Sequence, residues 1–205
     1  MTTSENFILE PTDQELWLGI RDGDEQAYTL IFGRYHRTLY NYGSKLSGNS
    51  AIVEDAVQEV FIDIWRLRAN LTENVTSVKF YLYRALRRRI HVATDKFPVT
   101  EELTMLPDQA MPSTYSNSET MLIQAESSTM IARKIREMLS QLPERQIEVI
   151  TLRYFEDFSV EEIADIMGIN EKSVRNLIYK AITSFRQTPQ NFIISLLIFC
   201  MLVIL

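Results

Sequence analysis

The stretch FSVEEIADIMGINEKSVRNLIYKAI, residues 158–182, carries the signals of two short helices that meet at a tight turn. Ser159 is a candidate N-cap residue, and Glu162 three residues later completes a capping box. Gly168 permits the positive φ that a tight turn needs, and the small side chain of Ala164 lets the two helices approach closely. The stretch therefore predicts a helix-turn-helix motif.

Apolar side chains at matching offsets complete this motif. Its small core is expected to contain Ile163, Ile169 and Val174, with Leu177 or Ile178, while Asn170 can cap the second helix. The early outward positions of that helix are Glu171, Lys172, Ser173, Arg175 and Asn176. These side chains can contact base edges and phosphates in a major groove, which favours DNA binding. The alternative is an ordinary helical hairpin with a solvated charged face.

The composition of the whole chain indicates a helical protein without disulfides. Apolar residues make up 46% of the 205 residues, and Gly and Pro number only six each. Long stretches follow the helical period, so we expect an all-α fold. Cys200 is the only cysteine, which excludes an intrachain disulfide and suits the reducing cytoplasm. The N-terminal MTTSENFILE lacks a basic region and a long apolar run, so no signal peptide is expected.

Helical periodicity and breaks divide the chain into two helical domains, a linker and a tail. Four helices are expected at about 10–95, the second with an apolar stripe and the third from about Ala51 to Arg68. The stripe of the second helix comprises Ala27, Leu30, Ile31, Tyr35, Thr38, Leu39, Tyr42 and Leu46. Thr12 and Asp13 are candidate caps of the first helix.

The second domain is expected at 129–187, after a flexible linker at 96–128. Three prolines and many Ser and Thr residues mark the linker. Residues 97–132 hold five acidic residues and no Lys or Arg, so the linker is acidic. A helix is expected to start at Pro143, since Pro is tolerated in a first turn.

The third helix has an unusual second face. Its buried stripe is expected to contain Val53, Val57, Val60, Phe61 and Ile64. The second face gathers Asp55, Gln58, Ile62 and Trp65. Apolar groups beside polar ones, off the core stripe, suggest a partner surface; the alternative is that Trp65 merely packs under a neighbouring helix.

The stretch FYLYRALRRRIHV, residues 80–92, is strongly basic in a chain whose net charge is −6. Its core positions are expected to be Val78, Leu82, Ala85, Leu86 and Ala93. The opposite face carries Phe80, Arg84, Arg87, Arg88 and His91, with Tyr81 beside them. Aromatic and arginine side chains on one exposed face can stack unpaired bases and neutralise phosphates. Arg89 falls within the apolar face and is expected to snorkel near the helix end.

Four segments together resemble the sigma-70 family of transcription initiation factors, specifically the extracytoplasmic-function (ECF) group. They are GDEQAYTLIFGRYHRTLYNY, AVQEVFIDIWRLR, FYLYRALRRRI and LPERQIEVITLRYFEDFSVEEIADIMGI, in the family's order. With the linker, the resemblance covers about residues 12–187. The chain departs from the common pattern at Tyr81, Arg88 and Leu177, where the family often has Trp, Asn and Arg.

The resemblance implies a transcription initiation factor that binds core RNA polymerase, recognises the minus-ten and minus-thirty-five promoter elements and promotes DNA melting. The third helix would dock on the polymerase clamp through Asp55, Gln58, Glu59, Ile62 and Trp65. The linker would replace the middle domain of larger sigma factors and run toward the active-site and RNA-exit channel.

The resemblance also implies two sets of DNA-binding residues. The loop 70–78 and the following helix would open and hold the minus-ten element through Asn74, Lys79, Phe80, Tyr81, Arg84, Arg87, Arg88 and His91. The helix-turn-helix would read the minus-thirty-five element through Lys172, Ser173, Arg175, Asn176 and Lys180. An anti-sigma factor is a further expected partner.

Two other classes of function compete with this interpretation. An autonomous helix-turn-helix regulator would explain the C-terminal motif but not the docking helix or the basic-aromatic helix. An enzyme is disfavoured, since the only histidines are His36 and His91, neither is near a cysteine, and no phosphate-binding Gly loop is present. We therefore expect no catalytic residues, no metal site and no cofactor.

The C-terminal tail, 188–205, is not part of the family pattern. Residues 192–205 are apolar except for Ser195. As a helix, fourteen residues span about 21 Å, less than the roughly 30 Å hydrocarbon core of a bilayer. Burial against protein is therefore preferred to membrane anchoring, and a cytoplasmic location is expected.

Overall fold

The computed structural model describes residues 10–73, 75–96 and 142–186. The chain divides into two units, Met1–Val99 and Thr100–Leu205. The described elements of the first unit are α1 (Asp13–Asp22), α2 (Glu25–Leu46), α3 (Ser50–Arg66), a 3₁₀ turn (Arg68–Asn70) and α4 (Val78–Lys96). Those of the second unit are α5 (Glu144–Ile150), a π-helical turn (Thr151–Phe155), α6 (Val160–Met167) and α7 (Glu171–Arg186). These ranges contain helices and no strand, which confirms the all-α prediction.

The first two helices are joined by a tight corner. Thr12, one of the two predicted caps, forms a capping box with Glu15 at the start of α1. Gly23 ends α1 with a φ of 88°, a conformation that favours glycine. Asp24 then caps α2, because its carboxylate accepts hydrogen bonds from the first backbone N–H groups of that helix. The corner lays α1 against α2.

The core of the first unit lies between α2, α3 and α4. The predicted stripe of α3 is confirmed: Val53, Val57, Val60, Phe61 and Ile64 are all buried. The predicted stripe of α2 included Leu30, and this assignment was wrong, because the Leu30 side chain is 49% exposed. The buried positions of α2 advance by four residues from Ala27 to Gly43, which leaves Leu30 off that line.

Close packing of three helices at Gly43 explains this line. A Cβ atom added at Gly43 would lie 2.7 Å from Val53 Cγ1 and 3.1 Å from Ile90 Cδ1. Only a residue without a side chain therefore allows α3 and α4 to approach α2 at this point.

The buried face of α4 is rotated from the predicted one. Val78, Leu82 and Leu86 are buried as expected, but Tyr83 and Ile90 are buried as well. Ala85 and Ala93, which were assigned to the core, are only half-buried. The larger side chains take the central positions because Tyr83 stacks on Tyr42 of α2, with ring centroids 5.0 Å apart.

The second unit contains the predicted helix-turn-helix. Ser159 and Glu162 form the capping box, Gly168 has a φ of 63°, and Asn170 accepts a hydrogen bond from the Ser173 backbone N–H. Ile163, Ala164 and Val174 are buried. The other predicted core positions, Ile169, Leu177 and Ile178, are half-buried.

The start of α5 differs by one residue from the prediction. Pro143 is the N-cap, and the helix begins at Glu144. The Pro143 carbonyl accepts hydrogen bonds from the backbone N–H groups of Gln146 and Ile147, so proline initiates the helix without joining it.

Candidate functional site

The predicted partner face of α3 lies on the surface of the first unit. Asp55, Gln58 and Glu59 are exposed, and the Ile62 side chain is 56% exposed. More than half of the Ile62 side chain is therefore left uncovered by the unit itself. This face can accept an apolar anchor from a partner, with polar contacts around it.

Trp65 was predicted either to belong to a partner surface or to pack under a neighbouring helix, and its position fits both. Its side chain is half-buried, and its ring lies 5.2 Å from the Tyr28 ring on α2. The guanidinium of Arg68 lies over the same ring, 4.6 Å from the centroid. The indole is thus held in place by its neighbours while part of its surface remains accessible.

A row of aromatic side chains on α2 continues this face and was missed in the sequence. Tyr28, Phe32 and His36 follow one another at helical spacing, and Phe32 packs 4.9 Å from Phe61 and 4.8 Å from His36, centroid to centroid. Phe32 is exposed, and burial raises the pKa of Tyr28. The i, i+4 spacing of these rings was the available signal, but only the neighbouring core stripe was assigned from the sequence, and these three residues were left without a role.

The predicted DNA-contacting residues of the basic helix α4 differ in how exposed they are. Arg84, Arg88 and His91 are exposed, as is Tyr81. Lys79, Phe80 and Arg87 are half-buried, so Phe80 is less accessible than the pattern predicted. Asn74, also a predicted DNA contact, lies outside the described residues.

The Tyr81 ring packs against α1. Its ring meets that of Trp17 edge-to-face, with centroids 5.1 Å apart. Burial raises the pKa of Tyr81, and the nearby Asp63 carboxylate adds to the rise. The hydroxyl group can donate or accept hydrogen bonds.

The expected snorkelling of Arg89 was wrong. Its guanidinium donates to the carboxylates of Glu59 and Asp63 on α3. Asp63 also accepts from Arg66, at 2.6 Å. Arg89 lies toward α3 because two acids on that helix face it, and it therefore links α4 to the helix that carries the partner face.

The segment between α3 and α4 is tied to α1. The Trp17 indole N–H donates to the Thr72 carbonyl at 2.9 Å, and the Gln14 amide donates to the Glu73 carbonyl at 2.8 Å. Arg21 pairs with the Glu73 carboxylate at 2.9 Å. Residues 72 and 73 are thus held by side chains more than fifty positions earlier in the chain.

In the second unit, the predicted DNA-contacting residues share an accessible side of α7. Lys172, Arg175, Asn176 and Lys180 are exposed, and Ser173 is half-buried. Arg175 pairs with Glu171 one turn earlier, at 2.6 Å. Tyr179, absent from the prediction, is 69% exposed. At 100° per residue it lies on the side that carries Lys172 and Asn176.

Among the described residues, no group of three or more His, Cys, Asp or Glu side chains could hold a metal ion. In the same part of the chain, every helix is too short or too polar to cross a membrane.

Comparisons with known proteins agree with the two-unit organisation. The family model for Sigma-70 region 2 matches residues 31–93, and that for Sigma-70, region 4 matches residues 132–184. The chain is 29% identical over 178 residues to the ECF RNA polymerase sigma-E factor of Escherichia coli K12, covering 83% of this chain and 90% of that protein. It is 24% identical over 181 residues to the ECF RNA polymerase sigma factor BldN of Streptomyces coelicolor, covering 82% of this chain but only 63% of that longer protein.

Solved structures share the fold at low sequence identity. The structure of CnrH in complex with the cytosolic domain of CnrY matches with a TM-score of 0.55 at 17% identity, covering 84% of this chain and 93% of that one. The sigma factor RpoE in complex with the anti-sigma factor NepR from Bartonella quintana matches with a TM-score of 0.53 at 17% identity, covering 77% and 92%. Two sigma-70 regions matched in the family's order, with ECF sigma factors among the relatives, place the chain in the sigma-70 family of RNA polymerase sigma factors, in its ECF group.

Proposed function

We propose that this protein is a transcription initiation factor that binds core RNA polymerase and directs it to specific promoters. The observation that carries the proposal is that one ECF sigma chain presents two separate accessible surfaces whose side chains suit contact with DNA. One is the cationic and aromatic face of α4, within the region 2 match. The other is α7 of the helix-turn-helix, within the region 4 match.

Polymerase docking is assigned to the exposed face of α3. Ile62 and Trp65 supply apolar anchors, and Asp55, Gln58 and Glu59 surround them with polar groups. Interfaces are enriched in aromatic anchors surrounded by a polar rim, which matches this arrangement. The α2 rings of Tyr28 and Phe32 extend the apolar part of the surface.

Promoter melting is assigned to α4 and the segment before it. Tyr81 offers a ring on which an unpaired base can stack, and Arg84 and Arg88 offer charge for the phosphates. Phe80, Lys79, Arg87, His91 and Asn74 complete the proposed minus-ten set. Because melted DNA needs stacking partners as well as charge, this composition favours strand opening over duplex binding.

Recognition of the minus-thirty-five element is assigned to α7. Lys172, Ser173, Arg175, Asn176 and Lys180 would face the major groove. The exposed Tyr179 extends this surface by one turn and is added to the proposed set. Its ring can contact a thymine methyl group, and its hydroxyl can donate to a phosphate.

The acidic net charge argues that DNA binding depends on polymerase. A chain with net charge −6 and only local basic faces gains little from counterion release on free duplex. An autonomous helix-turn-helix regulator is less favoured, because it leaves the docking face of α3 and the aromatic face of α4 unused. Catalysis would belong to the polymerase, and the protein would act in the cytoplasm without a cofactor.

An anti-sigma factor is proposed as a second partner. The RpoE structure from Bartonella quintana contains the anti-sigma factor NepR, and CnrH was solved with the cytosolic domain of CnrY. The proposed linker, 96–128, and tail, 188–205, lie almost wholly outside the described residues and stay predictions, as do the bounds 10–95 and 129–187 of the two domains.

Transcription from genomic templates by core polymerase, with and without this protein, tests the proposal directly. We expect new transcripts that start at a small set of shared promoter sequences. Gel shifts with the protein alone should show weak binding to the same promoters at physiological salt. No added transcripts, together with tight and specific binding by the protein alone, would instead establish the autonomous regulator.

A further inference from the structure

We propose that α1 is the positioning element of the promoter-reading segment, with Gln14 and Trp17 as its positioning residues. The inference rests on the proposed function, since that function assigns the segment between α3 and α4 to the minus-ten element. Neither residue is proposed to touch DNA. Both would act through the backbone of Thr72 and Glu73, which stand directly before the predicted DNA contact at Asn74.

Two hydrogen bonds carry the inference. Trp17 donates its indole N–H to the Thr72 carbonyl at 2.9 Å, and Gln14 donates its amide to the Glu73 carbonyl at 2.8 Å. Two successive carbonyl groups are thus held by donors from one helix face. Such an arrangement fixes the direction of the backbone and not merely its distance from α1.

A third contact fixes the same segment through charge. The Arg21 guanidinium pairs with the Glu73 carboxylate at 2.9 Å, and its side chain is 20% exposed against 69% for the acid. The exposed position of Glu73 means that this pair contributes little by itself. Together with the two hydrogen bonds, it keeps residue 73 on α1 through both its backbone and its side chain.

Helix α1, which holds the segment, is itself packed against its neighbours. Trp17 is 1% exposed, and its ring also meets the Tyr81 ring of α4. Asp13, at the start of α1, accepts hydrogen bonds from Arg34 and Tyr35 of α2. Helix α1 is therefore fixed to α2 and to α4, the helix that follows the segment that α1 holds.

The other end of the segment is fixed by α4 itself. The Ser77 hydroxyl accepts a hydrogen bond from the Phe80 backbone N–H at 3.1 Å, and Leu71 is buried near the opposite end. Residues at both ends of the segment are thus attached to helices. A site that reads DNA bases needs such preorganisation, because a segment held in one geometry cannot adjust to fit a wrong base.

The test compares promoter preference, not total activity, in three full-length variants. Gln14→Met removes the amide donor while keeping a long side chain that suits a helix. Trp17→Phe removes the indole donor but retains an aromatic ring. Gln26→Met makes the same chemical change as the first variant at an exposed position of α2 and serves as the matched control.

Each variant would be loaded on core polymerase and offered a promoter library randomised at the minus-ten element. Losing one hydrogen bond of this kind should change relative use of the preferred and disfavoured elements by about three- to tenfold. Core affinity should stay at the wild-type value, and the control should keep the wild-type profile. Hydrogen exchange at residues 71–77 should become faster by a similar factor in Gln14→Met.

Three outcomes are distinguishable. A changed profile in Gln14→Met and Trp17→Phe, but not in Gln26→Met, supports the inference. A uniform loss of transcription with an unchanged profile would show that α1 only stabilises the unit, and the inference fails. If the wild-type protein itself shows no dependence on the minus-ten sequence, the proposed function fails first. Should Trp17→Phe unfold, the decision rests on Gln14→Met alone.

Discussion

Arg89 of α4 forms an ion pair with Asp63 of α3. The same guanidinium reaches Glu59 one turn earlier on α3. Two carboxylates of the proposed docking helix therefore hold one arginine of the proposed melting helix. Both side chains of the Arg89–Asp63 pair are less than one third exposed. This geometry ties the orientation of α4 to the helix that would meet the polymerase.

Substitution of Arg89 should lower the stability of the first unit. Arg89→Met is expected to lower its free energy of unfolding by about 1 kcal/mol, because the pair is only partly shielded from water. Trp17 and Trp65 are the only tryptophans and both lie in this unit, so their fluorescence during urea unfolding reports on it alone.

The control for this variant is Arg66→Met. Arg66 also pairs with Asp63, but its side chain is 68% exposed, so we expect a change of only about 0.3 kcal/mol. The Arg89 effect should shrink in about 1 M salt. An equal loss in both variants would mean that burial of the ion pair is not what matters.

Glycine-to-alanine substitutions at two positions of α2 should change the stability of the first unit in opposite directions. At Gly43→Ala the new methyl group would meet Val53 at 2.7 Å, so a destabilisation of about 1–3 kcal/mol is expected from overpacking. At Gly33→Ala nothing lies within 4 Å, so the better helix propensity should stabilise the unit by about 0.5–1 kcal/mol. Unfolding by urea measures both, and stabilisation by Gly43→Ala would contradict the close helix crossing.

Truncation on the docking face should weaken polymerase binding. Gln58→Ala with Ile62→Ala is expected to cost about 2 kcal/mol, or about 30-fold in affinity, because a central apolar anchor is lost. The pair is preferred to Trp65→Ala, since Trp65 also packs on Tyr28 and its loss would disturb the fold.

Competition for core polymerase against the wild-type protein gives this affinity. Leu30→Ala is the matched control, because Leu30 is an exposed apolar residue on another side of α2. Unchanged affinity of the double variant, with the fold intact by circular dichroism, would remove this face from the docking surface.

Charge removal on α4 should impair melting more than recruitment. Arg84→Ala with Arg88→Ala is expected to lower permanganate reactivity of minus-ten thymines about tenfold, because two phosphate contacts are lost. Binding of the polymerase complex to closed promoter DNA should fall less. Arg37→Ala with Lys45→Ala, which removes two exposed cations of α2, is the control for net charge. Normal thymine reactivity in the double variant would remove these arginines from the melting surface.

Within the recognition helix, Arg175 should determine preference at one or two base pairs. Arg175→Ala is expected to relax selection there by about 1–3 kcal/mol, the value of a good base contact. Selection from promoters randomised at the minus-thirty-five element measures it, and Arg145→Ala on α5 serves as the control. If preference does not change, base recognition must come from other side chains of α7.

Much of the molecule was predictable because it depends on interactions between near neighbours in sequence. The capping box of Ser159 and Glu162, the glycine turn at Gly168 and the cap at Asn170 all act within four residues. The α3 stripe followed from helical period for the same reason. A period of 3.6 residues determines which side chains share a face of one helix.

Only the tertiary structure decided which faces meet. Helical period alone does not specify the partners of Arg89, the helix crossing at Gly43 or the exposure of Leu30, since each depends on a second helix. The attachment of Thr72 to Trp17 joins residues 55 positions apart, a separation at which local sequence patterns carry no distance information. Local sequence therefore determined the helices, their caps and their chemical character, whereas packing between distant helices decided how the candidate site is held.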